Sequence, residues 1–160
     1  MDYILSLITF LPLIGALIIG LFVQGSGSQS SENAKRVSLV TSITVFLLSL
    51  VMFSEFDNNS SDFQFVEEFL WLGFFNYKLG VDGISVILIL LTTGMMPLVF
   101  LSSWTTDKRV KEYLISFLIL ETLMVGVFVS LDMFLFYVFF EAGLIPCLLY
   151  TSDAADEVLG

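Results

Sequence analysis

From Ile4 to Val23 the chain runs for 20 residues without one charged side chain, and this run restricts what it can fold into more than any other feature. A helix rises about 1.5 Å per residue, so a stretch of this length matches the ~30 Å hydrocarbon core of a bilayer. In that core every backbone N–H and C=O must be satisfied inside the protein, which leaves helices and closed barrels as spanning forms. Further apolar runs follow at about residues 37–53, 81–101, 112–131 and 133–149, each near the ~20 residues a crossing takes. Hydrophobic residues make up 57% of the chain, above the roughly 45–50% of a soluble domain. The expected fold class is therefore all-α integral membrane, a bundle of about five transmembrane helices. The first run does not read as a signal peptide: Asp2 stands where a basic segment belongs, and no small-residue cleavage site follows.

The connections carry the polar residues. Gln24–Asn33 is rich in Gly and Ser and reads as a flexible loop. Ser54–Gly80 is longer, with acids at Glu55, Asp57, Asp62, Glu67 and Glu68. Its aromatics Trp71, Phe74, Phe75 and Tyr77 suit a belt at headgroup level, with packing in a soluble core as the competing explanation. Gly94 and Pro97 fall inside the third span, where neighbouring helices can satisfy the backbone groups they free. Lys35 and Arg36 lie in the first connection and Lys108, Arg109 and Lys111 in the third, against Lys78 alone in the second: five basic residues to one. Basic loops stay on the cytoplasmic or matrix side, so the N-terminus is expected outside.

The formal charge of −10, from 6 basic and 16 acidic residues, offers no clustered Lys and Arg for nucleic acid. There is no histidine, and Cys147 is the one cysteine. That leaves no Cys/His metal cluster, no CxxC pair and no disulfide framework. Neither a metal nor a redox cofactor is expected on this chain.

Two carboxylates fall deep in expected spans. Glu121 is near the centre of the fourth. Glu141 lies nine residues beyond the Asp132 turn, about 13 Å down a helix. Consecutive antiparallel spans put the two at similar depth. An acid in the bilayer interior is costly, commonly faces the bundle interior, and marks a proton or ion route. Burial also favours the neutral, proton-holding form of a carboxyl. The plainer alternative is a structural bond to a nearby hydroxyl or backbone group. It weighs more for Glu121, which has Thr122 beside it, than for Glu141, which follows the ring-rich run Phe134, Phe136, Tyr137, Phe139, Phe140. That run itself reads as packing rather than a cofactor box. Asp82 and Asp132, at span ends, read as helix caps.

The residues now become recognisable. Leu79-Gly80-Val81-Asp82-Gly83-Ile84-Ser85, Ser103-Trp104, Lys111-Glu112-Tyr113 and Gly126-Val127-Phe128 resemble the subunit M (chain 4) family of NADH-quinone oxidoreductase, respiratory complex I. The most specific block is Asp132-Met133-Phe134-Leu135-Phe136-Tyr137-Val138-Phe139-Phe140-Glu141-Ala142-Gly143-Leu144-Ile145-Pro146. The resemblance runs from the N-terminus to Pro146 and covers about the first five of roughly fourteen helices of an antiporter-like fold. It implies a proton-translocating subunit of the bacterial inner membrane or the mitochondrial inner membrane, working with other complex I membrane subunits. NADH, FMN, iron-sulfur clusters and quinone would belong to the whole complex. It also implies that Glu141 is the channel glutamate that pairs with a lysine two helices later. No lysine occurs within the expected spans, so that partner is missing, and a fragment of this extent is expected to be inactive alone. Glu121 is not part of the motif. The paralogous subunits L and N and the multisubunit cation/proton antiporters share the fold. A membrane scaffold without an ion route is the alternative of another class, and the intramembrane carboxylates argue against it.

After Pro146 the family pattern breaks. Residues 147–160, from Cys147 through Asp153-Ala154-Ala155-Asp156-Glu157 to Gly160, resemble one translated frame of a sequencing adapter. Residues 1–146 are expected to be the natural transmembrane part, and 147–160 a non-native tail.

Overall fold

A computed structural model describes residues 3–22, 28–57, 60, 62–71, 75–105 and 109–159. In chain order the elements are α1 (Ile4–Phe22), α2 (Ser28–Glu55), β1 (Gln64–Trp71), β2 (Phe75–Val81), α3 (Gly83–Ser102), α4 (Val110–Val129) and α5 (Met133–Leu159), with a short 3-10 turn at Ser103–Thr105. The helices α1 to α4 are each long and apolar enough to cross a membrane, and the apolar stretch of α5 is the shorter Met133–Pro146. The helical membrane fold read from the sequence therefore holds.

Two boundaries and the place of one lysine differ from that reading. Helix α2 begins at Ser28, not near residue 37. Ser28–Asn33 contains no Gly or Pro to stop it, and Glu32 meets Arg36 one turn on at 3.6 Å, a pairing that modestly favours helix. The flexible loop expected through Asn33 is thus shorter; residues 23–27 lie outside the described residues. The second difference follows from the first. Lys35 lies inside a spanning helix, contrary to the expectation of none, and it is buried. Its Nζ donates to the Trp104 carbonyl at 2.6 Å. A cation there complements the negative end of α3. Third, α5 runs unbroken to Leu159, past the expected end near residue 149. Pro146 removes one backbone donor but does not end the helix.

The helices pack so that α4 lies against α1, α2 and α3 on one side and α5 on the other. One half of the core joins Leu5, Ile8, Val45, Met52, Ile89 and Val125. The other joins Ala16, Ile19, Ala34, Phe100, Leu114 and Leu118. Outward, α3 exposes Ile84, Ile87, Leu91, Met95 and Leu98. A helix apolar on its outer face as well as its inner one suits lipid, not water.

The long connection between α2 and α3, expected as a loop, contains an antiparallel hairpin, β1 with β2. Glu68 opposes Lys78 on its solvated face, at 3.3 Å. Glu67 and Phe69 oppose Leu79 and Tyr77 on the other face. Between Gln64 and Glu67 the register shifts, and Phe65 takes φ 54°. One extra residue in β1 changes which face the later residues occupy, and it sends Glu67 to the inner one. There the buried Glu67 carboxylate accepts from the Leu5 N–H at 2.8 Å and the Ser6 N–H at 3.3 Å. The Ser6 hydroxyl also donates to Glu67 and sits 3.0 Å from the Tyr77 hydroxyl. The first amides of a helix have no partner within it, so the hairpin caps α1 from outside. Burial pushes the Tyr77 phenol above its ordinary value, with the Ser6 bond opposing and the Glu67 charge adding. Of the expected aromatic belt, the side chains of Trp71, Phe74 and Phe75 lie outside the described residues.

The hairpin also holds α4. The Leu131 N–H donates to the Lys78 carbonyl at 3.0 Å, and Leu79 bridges to Ser130.

Candidate functional site

How α5 sits on α4 decides where both candidate carboxylates face. Gly126 has no Cβ, and the Phe139 ring fills the space one would take: a Cβ there would lie 2.5 Å from Cδ1 and 2.6 Å from Cε1. Small residues at such crossings let membrane helices approach closely. Successive helical residues are about 100° apart, so this contact fixes the rotation of the rest of each helix.

Glu121 precedes Gly126 by five residues, about 140° round α4. It lies on the face with Leu114, Leu118 and Val125, all buried in the two core clusters. Its exposure is 0%, and among the described residues neither carboxylate oxygen has a hydrogen-bond partner. The structural bond weighed from the sequence is absent among the described residues. Thr122 instead donates to its own helix, to the Leu118 carbonyl at 3.2 Å.

Glu141 follows Phe139 by two residues, about 200° round α5. It therefore faces away from α4 and is exposed, as is Tyr137 one turn earlier. Glu141 thus does not share the interior of α1 to α4 with Glu121; the seat of Phe139 against Gly126 turns it to the opposite side of α5.

The depths agree with expectation. Glu121 stands eight residues before Val129, and Glu141 eight residues after Met133, each about 12 Å of helical rise from the turn that joins them. A shared compartment does not follow. The interface between the two helices, lined by Leu120, Leu123, Val127, Phe139, Phe140 and Leu144, is apolar and separates the two acids.

The other acids singled out in the sequence are caps. Asp82 accepts from the Ser85 N–H at 2.7 Å at the start of α3, and that bond holds its carboxyl below the ordinary carboxylate range. Asp132 accepts from Phe134 and Leu135 at 2.9 and 3.2 Å at the start of α5. Sequence reasoning missed Glu67 and treated Lys35 as a loop charge. The alternation of Glu67 and Phe69 opposite Tyr77 and Leu79 was a signal for the hairpin. Nothing local in the sequence signalled the burial of Lys35.

No protein-family model matches the chain. Curated proteins do. The chain is 51% identical to NADH-quinone oxidoreductase subunit M of Rhodobacter capsulatus, over 93% of its own length and 29% of that protein. It is 47% identical to NADH-ubiquinone oxidoreductase chain 4 of Mycosarcoma maydis, over 91% of this chain and 30% of that one. With chain 4 of Arabidopsis thaliana the identity is 42%, over 89% and 28%. The chain thus spans about three-tenths of the length of the curated relatives it matches.

Proposed function

Because the chain is homologous to subunit M, or chain 4, of NADH-quinone oxidoreductase, we propose that it forms part of a proton-translocating subunit in the membrane arm of that enzyme. Electron transfer from NADH to quinone takes place on other subunits, and this chain contributes to moving protons. Its partners are the other membrane subunits, protons and the surrounding lipid, in a bacterial or mitochondrial inner membrane. The relatives reported above are named subunit M or chain 4, which favours that assignment over the paralogous subunits and the cation/proton antiporters.

The observation that carries the reading is Glu141, a carboxylate about 12 Å into its helix on the face of α5 turned away from α4. A carboxylate at such depth is costly unless a cation or water supports it. A lysine from the part of the relatives beyond this stretch, approaching that face, stabilises the charged form. Its withdrawal lets the acid take up a proton. In this role Glu141 is a switchable proton site and makes or breaks no other bond.

The test uses a full-length homologue. Glu141→Gln is expected to abolish or greatly reduce proton translocation and energy-coupled NADH oxidation. Assembly and NADH oxidation with an artificial acceptor survive, and Glu141→Asp falls between. Parental pumping by an assembled Glu141→Gln complex overturns the assignment.

The orientation belongs to the same proposal. The N-terminus and the hairpin lie outside, and the α1–α2 and α3–α4 connections lie on the cytoplasmic or matrix side, because Lys35 and Arg36 in the first turns of α2 and Lys108, Arg109 and Lys111 at the start of α4 put five of the six basic residues at that end of the helices. Single cysteines in each connection, labelled with an impermeant reagent from one side, test it; the hairpin and the other two must label from opposite sides.

A further inference from the structure

Inside the bundle of α1 to α4 the polar side chains are not scattered. Ser38, Ser42 and Ser49 are all buried and, at spacings of four and seven, share one face of α2. Ser49 Oγ lies 2.8 Å from Thr93 Oγ1 on α3. Small residues of this kind also serve helix packing, and taken alone the stripe means no more than that.

Glu121 changes its meaning. It is completely enclosed, and its two oxygens have no hydrogen-bond partner among the described residues. It belongs to the face of α4 that packs on α1 to α3. Its depth is within a turn of Thr93, which stands ten residues into α3 from Gly83. An isolated ionised carboxylate in such surroundings is very costly. None of the buried hydroxyls that α2 and α3 bring into the same bundle bonds Glu121, and their protons are already engaged elsewhere. Ser42 donates to the Leu39 carbonyl at 3.0 Å, and Ser49 and Thr93, with one proton each, divide them between their mutual contact and the Phe46 and Ile89 carbonyls at 2.7 and 2.9 Å. What they leave over is acceptor lone pairs. Pro97 adds another acceptor, because it has no N–H to offer the Thr93 carbonyl four residues back. An interior rich in acceptors and poor in donors calls for a species that brings protons.

We propose that Glu121, with Ser49 and Thr93, forms a second proton-holding site, enclosed by α1 to α4 and separate from the one at Glu141. The ligand is a proton, carried on a Glu121 oxygen and exchanged through water. On release it passes to a water molecule and leaves the carboxylate charged. The inference rests on the proton-translocating reading for its purpose, but the site itself is tested without pumping.

Infrared difference spectroscopy of the whole chain in lipid nanodiscs, in ordinary and heavy water, reads the site directly. The expected result is a carbonyl band of a protonated carboxylic acid that shifts on deuterium exchange and loses intensity as pH is raised. It disappears in Glu121→Gln and persists in Glu141→Gln. Ser49→Ala and Thr93→Val retain Glu121 and guard against a variant that fails to fold; each is expected to move the band or slow its exchange. Absence of the band in the parent overturns the proposal. So does a band that never exchanges or titrates, or one indifferent to Ser49 and Thr93, since Glu121 would then be a packing residue. Loss of pumping in Glu141→Gln bears on the functional reading alone.

Discussion

The contact between Gly126 and Phe139 makes a quantitative test of how the two acids come to face opposite ways. Gly126→Ala adds one methyl group. Its carbon would lie 2.5, 2.6 and 2.7 Å from three atoms of the Phe139 ring, where ordinary contact begins at 3.4 Å. The ring is rigid and buried at 8% exposure, so it cannot bend aside as the end of a flexible chain can. Either Phe139 leaves its seat or α5 moves off by most of an ångström. A gap of 0.5–1 Å already forfeits about a quarter to a half of the dispersion attraction between facing atoms. Overpacking a close contact of this kind costs about 1–3 kcal/mol. The measurement is unfolding of the chain in detergent by titration with dodecyl sulfate, followed by helical circular dichroism. Gly126→Ala is expected to unfold at lower dodecyl sulfate, with a loss in that range. Phe139→Leu in the same chain removes the ring, and the double variant is expected to lose less than the two single losses together, as contacting residues do. An unchanged midpoint for Gly126→Ala, or strict additivity with Phe139→Leu, refutes the close approach and with it the rotation that turns Glu141 outward.

Three further outcomes are expected. Glu67→Ala strands two helix amides and the Ser6 hydroxyl under the hairpin, and leaving buried donors unpaired costs about 1–3 kcal/mol for each group; amide exchange at Leu5 and Ser6 is expected to rise well above that of Glu67→Gln, which keeps an acceptor. Asp82→Ala removes the cap of α3, typically worth about 0.5–2 kcal/mol. Because the folded Asp82 pKa is lowered, its contribution is full above the ordinary aspartate value and fades as pH falls through the lowered one, so parent and Asp82→Ala are expected to converge in acid. For residues 147–160, amplification of the locus from source DNA that has never carried adapters is expected to give a continuation other than Cys147 to Gly160; recovery of that tail overturns the reading of it as non-native.

What the sequence determined by itself is what depends on length and solvent. A run of uncharged residues long enough for a bilayer must be helical there, because no water is available to its backbone. The ends of α1, α3 and α4 were accordingly legible to within two residues, and so were the depths of Glu121 and Glu141, which follow from helical rise alone. The Asp82 and Asp132 caps were legible for a similar reason, since a cap bonds amides two or three residues on. The direction each acid faces was not legible. It depends on which side of α4 receives α5, and that is settled by a ring on one helix entering the gap left by a glycine on another. The roles of Glu67 and Lys35 were hidden in the same way. Glu67 bonds amides 61 and 62 residues away, and Lys35 a carbonyl 69 residues away, so neither partner could be identified until the helices were assembled. Local chemistry and the bilayer thickness decide that these helices exist and how deep each residue lies. Only the packing of one helix on the next decides whether a carboxylate at that depth is enclosed, as Glu121 is, or turned outward, as Glu141 is.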